Sequence, residues 1–566
     1  MQTLHFSQMS GNKHNQRTMS SVKITNLLIV MLLLVKRGQG SSIDMSTNDL
    51  NVAITVQQSI ANILDEYIVK SHLNLSSRTP QEDLKYLKSY VTNFQALTKD
   101  ILEEGFDDPI HAYLLLRHMT VDYEKITSRV TSSESKEDEV VRGMEYLKEI
   151  KESVPEELTD FLTYFDSDGY PTGKDMEAAA LSLVRLQTVY DLPTDSLLAK
   201  NISDDRTLTA SDCFRLGSQA VLMMNLKLAH NWFGEGLTLL NSSQYDHDVS
   251  EETKNAVISQ YEAIDNILSY GNMFEGLLTG AVRNAPTYLL DMVNFIPGLP
   301  NNFFQKMKAS VPGESHEAYS EEYKELCQGK ILTDPKYSKE LICAYVRGSH
   351  PRFILSPNKV EILSFDPIVA MYHDIVTEKE MNYLKSVSKD KLIEPKTKSS
   401  KDLEEMLTFA RTGKMAFLSE DSDFQLQGLS DRIADVVNYG IGGHYEVHCD
   451  YFSFNKRDMS FPGGDRLATM LFYLNDVKAG GYTVFPVLKI GVQPKKGSAL
   501  FWYNLKKSGD GDPQTVHAAC PILSGTKWSK YYLFCFVFLF IYLLFFLNFT
   551  ALYSQWVYGK LEAVSI

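Results

Sequence analysis

The stretch YGIGGHYEVHCDYF, residues 439–452, decides how this chain is read. It places His448 and Asp450 two positions apart in a segment patterned like a β-strand. Side chains at i and i+2 of a strand leave the same face, so these two can reach one ion while Cys449 points away. Downstream, His517 precedes an apolar strand and Lys527 follows ten residues later. Two imidazoles and one carboxylate on one face of a metal leave its other positions open. That arrangement suits a non-haem Fe(II) site taking a cosubstrate and oxygen together. Lys527 would then stand at the far end of the cosubstrate. Taken alone the His-x-Asp pair is a weak signal, because a short polar pair in a strand is more often solvated surface.

Outward from this motif, a chain of 566 residues is too long for one core and is expected to hold two to four domains. Its formal net charge of -15, with no concentrated basic stripe, argues against a nucleic-acid partner. With 44% apolar and 22% charged residues, general disorder is set aside. Near the start, Lys23 precedes an apolar run over residues 27–35, and small residues follow at Gly38, Gly40, Ser41 and Ser42, which reads as a secretory signal peptide. Secretory entry makes Asn74, Asn201 and Asn241 plausible glycan sites and places the six cysteines in an oxidising compartment. Cys327 and Cys343, with fifteen residues between them, suggest a local disulfide contributing about 3 kcal/mol on the loop-entropy estimate.

From residue 48 to about residue 200 the periodicity is helical. Val56, Ile60, Ile63 and Tyr67 form one stripe. Leu84, Leu87, Val91 and Phe94 alternate three and four apart, as in a coiled-coil seam. Such a seam is buried either within a bundle or in a dimer, and periodicity does not choose. Residues 208–240 open with Thr209 as a helix cap, and Leu216, Gly217, Ala229 and Phe233 fall at tetratricopeptide spacing. Tyr261, Ala281 and Pro286 are the best matches of a poorer second unit. From Arg352 onward, strands alternate with short helices and turns.

The blocks YGxGGxYxxHxD, GDRLATMLFYLNDVKAGGYTVFP (464–486), PKKGSALFWYN (494–504) and HAACPxxxGxKW occur in that order. Together they closely resemble the catalytic domain of the collagen-type prolyl 4-hydroxylase alpha subunit, a 2-oxoglutarate/Fe(II)-dependent dioxygenase family. Weaker resemblance runs back almost to the N-terminus. The expected organisation is multidomain: a signal peptide over residues 1–40, an all-α dimerisation region over 41–202, and an α-helical TPR-like peptide-binding domain over 203–300. A linker over 301–318 leads into a double-stranded β-helix, or jelly-roll, dioxygenase domain over 319–530, and an atypical hydrophobic tail fills 531–566.

The resemblance implies hydroxylation of peptidyl-proline to 4-hydroxyproline in procollagen-like chains, coupled to decarboxylation of 2-oxoglutarate to succinate and CO2. It implies Fe(II) on His448, Asp450 and His517, with O2 as cosubstrate and ascorbate as a further cofactor. Lys527 would meet the distal carboxylate of 2-oxoglutarate, with hydroxyls from Tyr439 and Thr483 beside it. Tyr445 is placed towards substrate, and Trp502 is read as core. In the helical domain, Tyr261 and Tyr270 are the candidate groove residues for polyproline II segments. Matching family cysteines are paired where Cys327 and Cys343 stand. The implied assembly is an alpha-two beta-two complex with protein disulfide isomerase, in the endoplasmic reticulum lumen. The chain ends AVSI, so retention is expected to come from that partner.

Two departures from the family pattern stand out. Before Tyr439, where the family has a strand, LSDRIADVV runs almost directly into NYG, so one edge of the sheet is expected to be trimmed or repaired differently. After Trp528 the resemblance stops. The family continues with a strand bearing a second tryptophan, a His-Glu-Arg segment and a cysteine pairing with the counterpart of Cys520. This chain instead has YYLFCFVFLFIYLLFFL, opening at Tyr531 and closing at Leu547, seventeen uncharged apolar residues at the lower limit for a membrane span. The charge bias opposes a span, since Lys527 and Lys530 lie on the lumenal side against only Lys560 beyond. A buried strand is disfavoured because the run exceeds the usual length of about five or six residues. The expectation is therefore a mature product with a different C-terminus that carries the missing strand. The competing readings are a non-catalytic procollagen-binding subunit and a membrane-anchored hydroxylase.

Overall fold

A computed structural model describes residues 81–104, 108–125, 171–199, 207–223, 225–242, 249–269, 321–347, 356–389, 391–393, 411–418, 434–451 and 465–535, with six positions between 54 and 65. A helical N-terminal region is followed by a β-rich C-terminal one. The chain divides into two compact units, the larger running from residue 177 to the end with two short earlier pieces. The signal peptide, the Val56–Tyr67 stripe, Tyr270, the linker and residues 536–566 lie outside the described residues.

In the smaller unit, α1 (Gln81–Glu104) buries Leu87, Val91 and Phe94, three of the four seam positions, together with Tyr90, Leu97 and Ile101. Helix α2 (Pro109–Arg117) runs into a π-turn whose His118 ring stacks on Tyr90 at 3.9 Å between centroids and lies 5.5 Å from Phe94.

In the larger unit, α3 (Gly173–Tyr190) lies against the antiparallel pair α4 (Ala210–Leu222) and α5 (Leu226–Ser242), and α6 (Glu251–Ser269) packs on α5. Thr209 caps α4 as its sequence predicts. Its hydroxyl accepts the Asp212 N–H, and the Asp212 carboxylate accepts the Thr209 N–H in return. The tetratricopeptide-spaced residues meet one another, with Leu216, Ala229 and Phe233 fully buried. Gly217 faces the Phe233 ring so closely that a Cβ there would overlap it. Gly217→Val is therefore expected to destabilise the larger unit by about 1–3 kcal/mol, the usual cost of overpacking, seen as a lower denaturation midpoint.

The β-rich part holds two facing sheets. The larger has the order β1 (Cys343–Val346), β2 (Asn358–Phe365), β3 (Ile368–His373), β12 (Ala499–Tyr503), β8 (Arg466–Tyr473), β15 (Lys527–Cys535), β6 (Ala434–Tyr439), β5 (Lys414–Leu418). The smaller has β11 (Ile490–Val492), β10 (Thr483–Phe485), β13 (His517–Ala519), β7 (His444–His448), β4 (Arg411–Thr412), and β14 (Ile522–Ser524) pairs with β9 (Ala479–Gly480). Position in the sheet explains the sequences. The central strand β12 reads ALFWY, covered on both faces, whereas edge strand β1 alternates exposed and buried. Val369, Met371, Leu471, Tyr473, Leu500 and Trp502 of the larger sheet meet Phe485, Ile490 and Val492 of the smaller in one core. Outside, α7 (Glu321–Cys327) packs on β10 and α8 (Glu378–Lys389) on β5 and β6.

Three expectations are corrected here. The strand before Tyr439 is present: β6 pairs with β5 on one side and β15 on the other. Its Val436 and Val437 are fully buried, and a short β-branched run between two partners needs no alternation. Nor is the strand after Lys527 missing. The first residues of the apolar run continue β15, which bonds to β6 through Tyr531 and to β8 as far as Cys535. An interior strand is covered on both faces, and that favours a continuous apolar run. Third, Cys327 is bonded to Cys520, not to Cys343, with 5.5 Å between Cα atoms. Cys327 closes α7 in a buried cluster with Val484, Ala518 and Cys520, while Cys343 points outward from β1 and is free. Among the described residues no helix is long and apolar enough to cross a membrane.

Candidate active site

Strands β7 and β13 are antiparallel neighbours with His448 directly opposite His517, and Asp450 follows two residues past the end of β7. One Asp450 oxygen lies 3.7 Å from His448 Nε2 and the other 3.7 Å from His517 Nε2. The ligand atoms of all three side chains fall within 4.8 Å of one another, the one such cluster among the described residues. Both rings are oriented by the backbone of their own strands. His448 Nδ1 bonds the Glu446 carbonyl at 2.7 Å and His517 Nδ1 the Thr515 carbonyl at 3.0 Å. With Nδ1–H donating, each Nε2 keeps its lone pair for a metal. His517 Nε2 is buried and has no partner, which is the condition a metal would relieve.

Asp450 is held by a chain of donors: its Oδ2 accepts from Thr469 Oγ1 at 2.7 Å, and that hydroxyl accepts from Asn504 Nδ2 at 2.8 Å. Burial pushes the Asp450 carboxyl up, but His517, His448 and the Thr469 hydroxyl outweigh it and hold it below the usual carboxylate range. Burial, reinforced by His517, lowers His448 to about 3, so the imidazole is neutral. Two imidazoles and one carboxylate are the donor set that fits Fe(II) with open positions.

Lys527 opens β15 opposite Tyr439 of β6 and is 1% exposed. Its Nζ donates to the Gly481 carbonyl at 2.7 Å and the Thr483 hydroxyl at 3.3 Å, and lies 5.5 Å from the centre of the Tyr473 ring. No carboxylate of the described residues pairs with it. Burial alone lowers Lys527 to about 7. The Tyr439 hydroxyl is buried. The three residues read from sequence as the cosubstrate end thus come together: a cation without a carboxylate, a buried hydroxyl, and Thr483, whose hydroxyl also accepts from Tyr473 at 2.9 Å. Tyr445 stacks on His448 at 3.6 Å between centroids. Trp502 is core, as read, and its ring also lies 4.6 Å from that of His517. Tyr261 stands apart on α6, half-buried and stacked on His230 at 4.3 Å.

Sequence reasoning missed Thr469, Asn504, Tyr473 and Arg411. Arg411 sits opposite Tyr445 on β4, its guanidinium 4.7 Å over that ring and its Nε buried without a partner. Thr469 and Asn504 lay inside quoted blocks, and only the fold aligns them with Asp450.

Residues 434–537 match the 2OG-Fe(II) oxygenase superfamily, and residues 46–204 match the prolyl 4-hydroxylase alpha-subunit, N-terminal region. Prolyl 4-hydroxylase subunit alpha-1 of Homo sapiens is 28% identical over 550 residues, covering 89% of this chain and 95% of the relative. The chain is similar over most of its length to prolyl 4-hydroxylase alpha subunits. Subunit alpha-2 of Gallus gallus is 29% identical over 528 residues, covering 85% of this chain and 91% of the relative. A viral collagen prolyl hydroxylase from Paramecium Bursaria Chlorella virus-1, solved with 2OG, is 21% identical at a TM-score of 0.23, covering 29% of this chain and 94% of its own. The His448–Asp450–His517 cluster and Lys527 all fall within the matched oxygenase region.

Proposed function

We propose that this chain hydroxylates peptidyl-proline in procollagen-like chains to 4-hydroxyproline, with 2-oxoglutarate and O2 converted to succinate and CO2 and with ascorbate as a further cofactor. The observation that carries this reading is the pair of Nε2 lone pairs converging with Asp450 beside a buried lysine. Bound Fe(II) and 2-oxoglutarate supply the oxidising chemistry. The chain's residues hold the geometry. His448, Asp450 and His517 would ligate the metal, and Lys527, Tyr439 and Thr483 would receive the distal carboxylate in a pocket shielded from water. Tyr445, stacked on His448, is placed to touch the proline ring, and the two sheets are read as a double-stranded β-helix. The non-catalytic reading rested on a missing strand, and β15 occupies that place.

The helical layer α4–α6, with Tyr261, is read as a TPR-like domain for polyproline II segments, and the N-terminal helices as a dimerisation region. Protein disulfide isomerase in an alpha-two beta-two assembly and the endoplasmic reticulum lumen complete the proposal, supported by the signal-like N-terminus.

The test is 2-oxoglutarate turnover by the purified chain coexpressed with the isomerase, with a proline-rich peptide as substrate. Peptide-dependent succinate and hydroxyproline in equal amounts are expected, and their absence in iron-loaded protein would overturn the reading. Lys527 adds a pH signature. Its ammonium form receives the carboxylate, and burial places the titration of the free pocket near about 7. Affinity for 2-oxoglutarate should therefore be flat below that pH and fall as pH rises through it, by up to about tenfold per unit. Lys527→Ala should remove this dependence and mainly raise the 2-oxoglutarate requirement, which binding titrations at several pH values would read.

A further inference from the structure

Helix α3 touches the helical layer on one side and the β-rich part on the other. Towards the helices, Gln187 accepts the Trp232 indole N–H at 2.7 Å, Thr188 accepts from Asn225 at 3.2 Å, and Glu177 receives Arg215 and Gln219 at 2.9 and 2.7 Å. Towards the sheets, Leu186 packs on Ile441 and Val189 joins the cluster of Cys327, Val484, Ala518 and Cys520. Ser182 lies over Gly442, where a Cβ would come within 2.6 Å of the serine Cβ. Gly442 in turn donates its N–H to the Ile522 carbonyl, tying the turn before β7 to the segment after β13. The helix thus leans on both strands that carry metal ligands.

Its last residue reaches further. Tyr190 Oη donates to the Pro521 carbonyl at 2.5 Å, and that carbonyl also accepts the Gly481 N–H at 3.1 Å. The carbonyl of Gly481 is the acceptor that aims Lys527 Nζ, at 2.7 Å. Gly480 and Gly481 both have positive φ, and a Cβ on Gly480 would fall 2.5 Å from the Pro521 oxygen and 2.6 Å from Tyr190 Oη, so only glycine lets this turn sit so close. From the other side Gln328 Nε2 donates to the Val189 carbonyl at 2.9 Å and to Asp191 at 2.8 Å, fixing the end of the helix.

We infer that Tyr190 is a positioning residue for the cosubstrate lysine: through Pro521 and Gly481 it sets where the Lys527 ammonium stands, and so couples the helical layer to 2-oxoglutarate binding. This rests on the reading of Lys527 as the carboxylate receptor. Loss of the Tyr190 hydroxyl leaves the ring packed but releases one of the two donors on Pro521, so the Gly481 carbonyl and the ammonium it holds can drift.

The test is equilibrium binding of 2-oxoglutarate to the full chain in its isomerase complex, loaded with Mn(II) so that no turnover intervenes. Tyr190→Phe should weaken 2-oxoglutarate binding by about fivefold, the worth of one net hydrogen bond, while Mn(II) affinity and the melting temperature stay at wild-type values. Gln328→Met, which frees the same helix end, should shift 2-oxoglutarate affinity in the same direction, and the double variant should lose less than the product of the two. Unchanged 2-oxoglutarate affinity in both single variants overturns the inference. So does a parallel loss of Mn(II) binding and melting temperature, which would mark a merely structural contact. A wild-type complex that binds Mn(II) but no 2-oxoglutarate would instead remove the reading of Lys527, and this inference with it.

Discussion

Replacing Asp450 by alanine should weaken Fe(II) binding by more than about a hundredfold and abolish turnover. Loss of an outer partner of a metal ligand typically costs about 10–100-fold, and loss of the ligand itself must exceed that. Asp450 is also the one carboxylate of the cluster, so its removal leaves two imidazoles and no anionic ligand facing a divalent ion. His448→Ala and His517→Ala should fall in the same class. Thr469→Val supplies the graded comparison: it removes the hydroxyl that holds Asp450 Oδ2 and leaves Asn504 Nδ2 without its acceptor. It is expected to fall between wild type and Asp450→Ala, within the outer-partner range. Metal titration of the apo protein reads this order without relying on activity. Wild-type iron affinity in Asp450→Ala would refute the ligand assignment.

The sequence made the cluster legible because its parts are local. His448 and Asp450 are two residues apart, and strand geometry alone brings them to one ion. Lys527 was found by its distance from His517 in a resembling block, and the fold adds that it stands opposite Tyr439. The Gly217–Phe233 contact was legible for a similar reason, since helix-pair spacing fixes which residues of α4 and α5 meet. What stayed hidden is long-range. Arg411 is brought to Tyr445 by pairing of β4 with β7, and Tyr190 to Pro521 across 331 residues. Strand β6 was discounted because the sequence before Tyr439 is shorter than the family pattern, and β15 was misread because the amphipathic signal is erased where a strand is covered on both faces. The alternation sought in a half-buried strand is absent from an interior one. Tyr531 shows this directly: it belongs to a run too long and apolar for one strand, yet pairs with Asp435 of β6 and Leu471 of β8.

Cys520→Ala should destabilise the catalytic region by about 2–5 kcal/mol, whereas Cys343→Ser should leave it unchanged. The bond between Cys327 and Cys520 closes a loop of 193 residues, for which the chain-entropy relation gives about 5 kcal/mol against about 3 for the short loop to Cys343. Its location matters as much as its loop length. Cys520 follows directly on β13, whose first residue is His517, and Cys327 ends the helix that packs on β10 beside Thr483. Both thiols lie in one buried apolar cluster with Val484 and Ala518, so breaking the bond loosens the strands carrying a metal ligand and a cosubstrate hydroxyl. Reductant should therefore lower the denaturation midpoint of the wild type to that of Cys520→Ala and leave the variant where it was. Mass mapping without reduction decides the connectivity. A peptide pair joining Cys327 to Cys520 is expected, and recovery of Cys327 joined to Cys343 would restore the local pairing and remove the reason for any effect at Cys520.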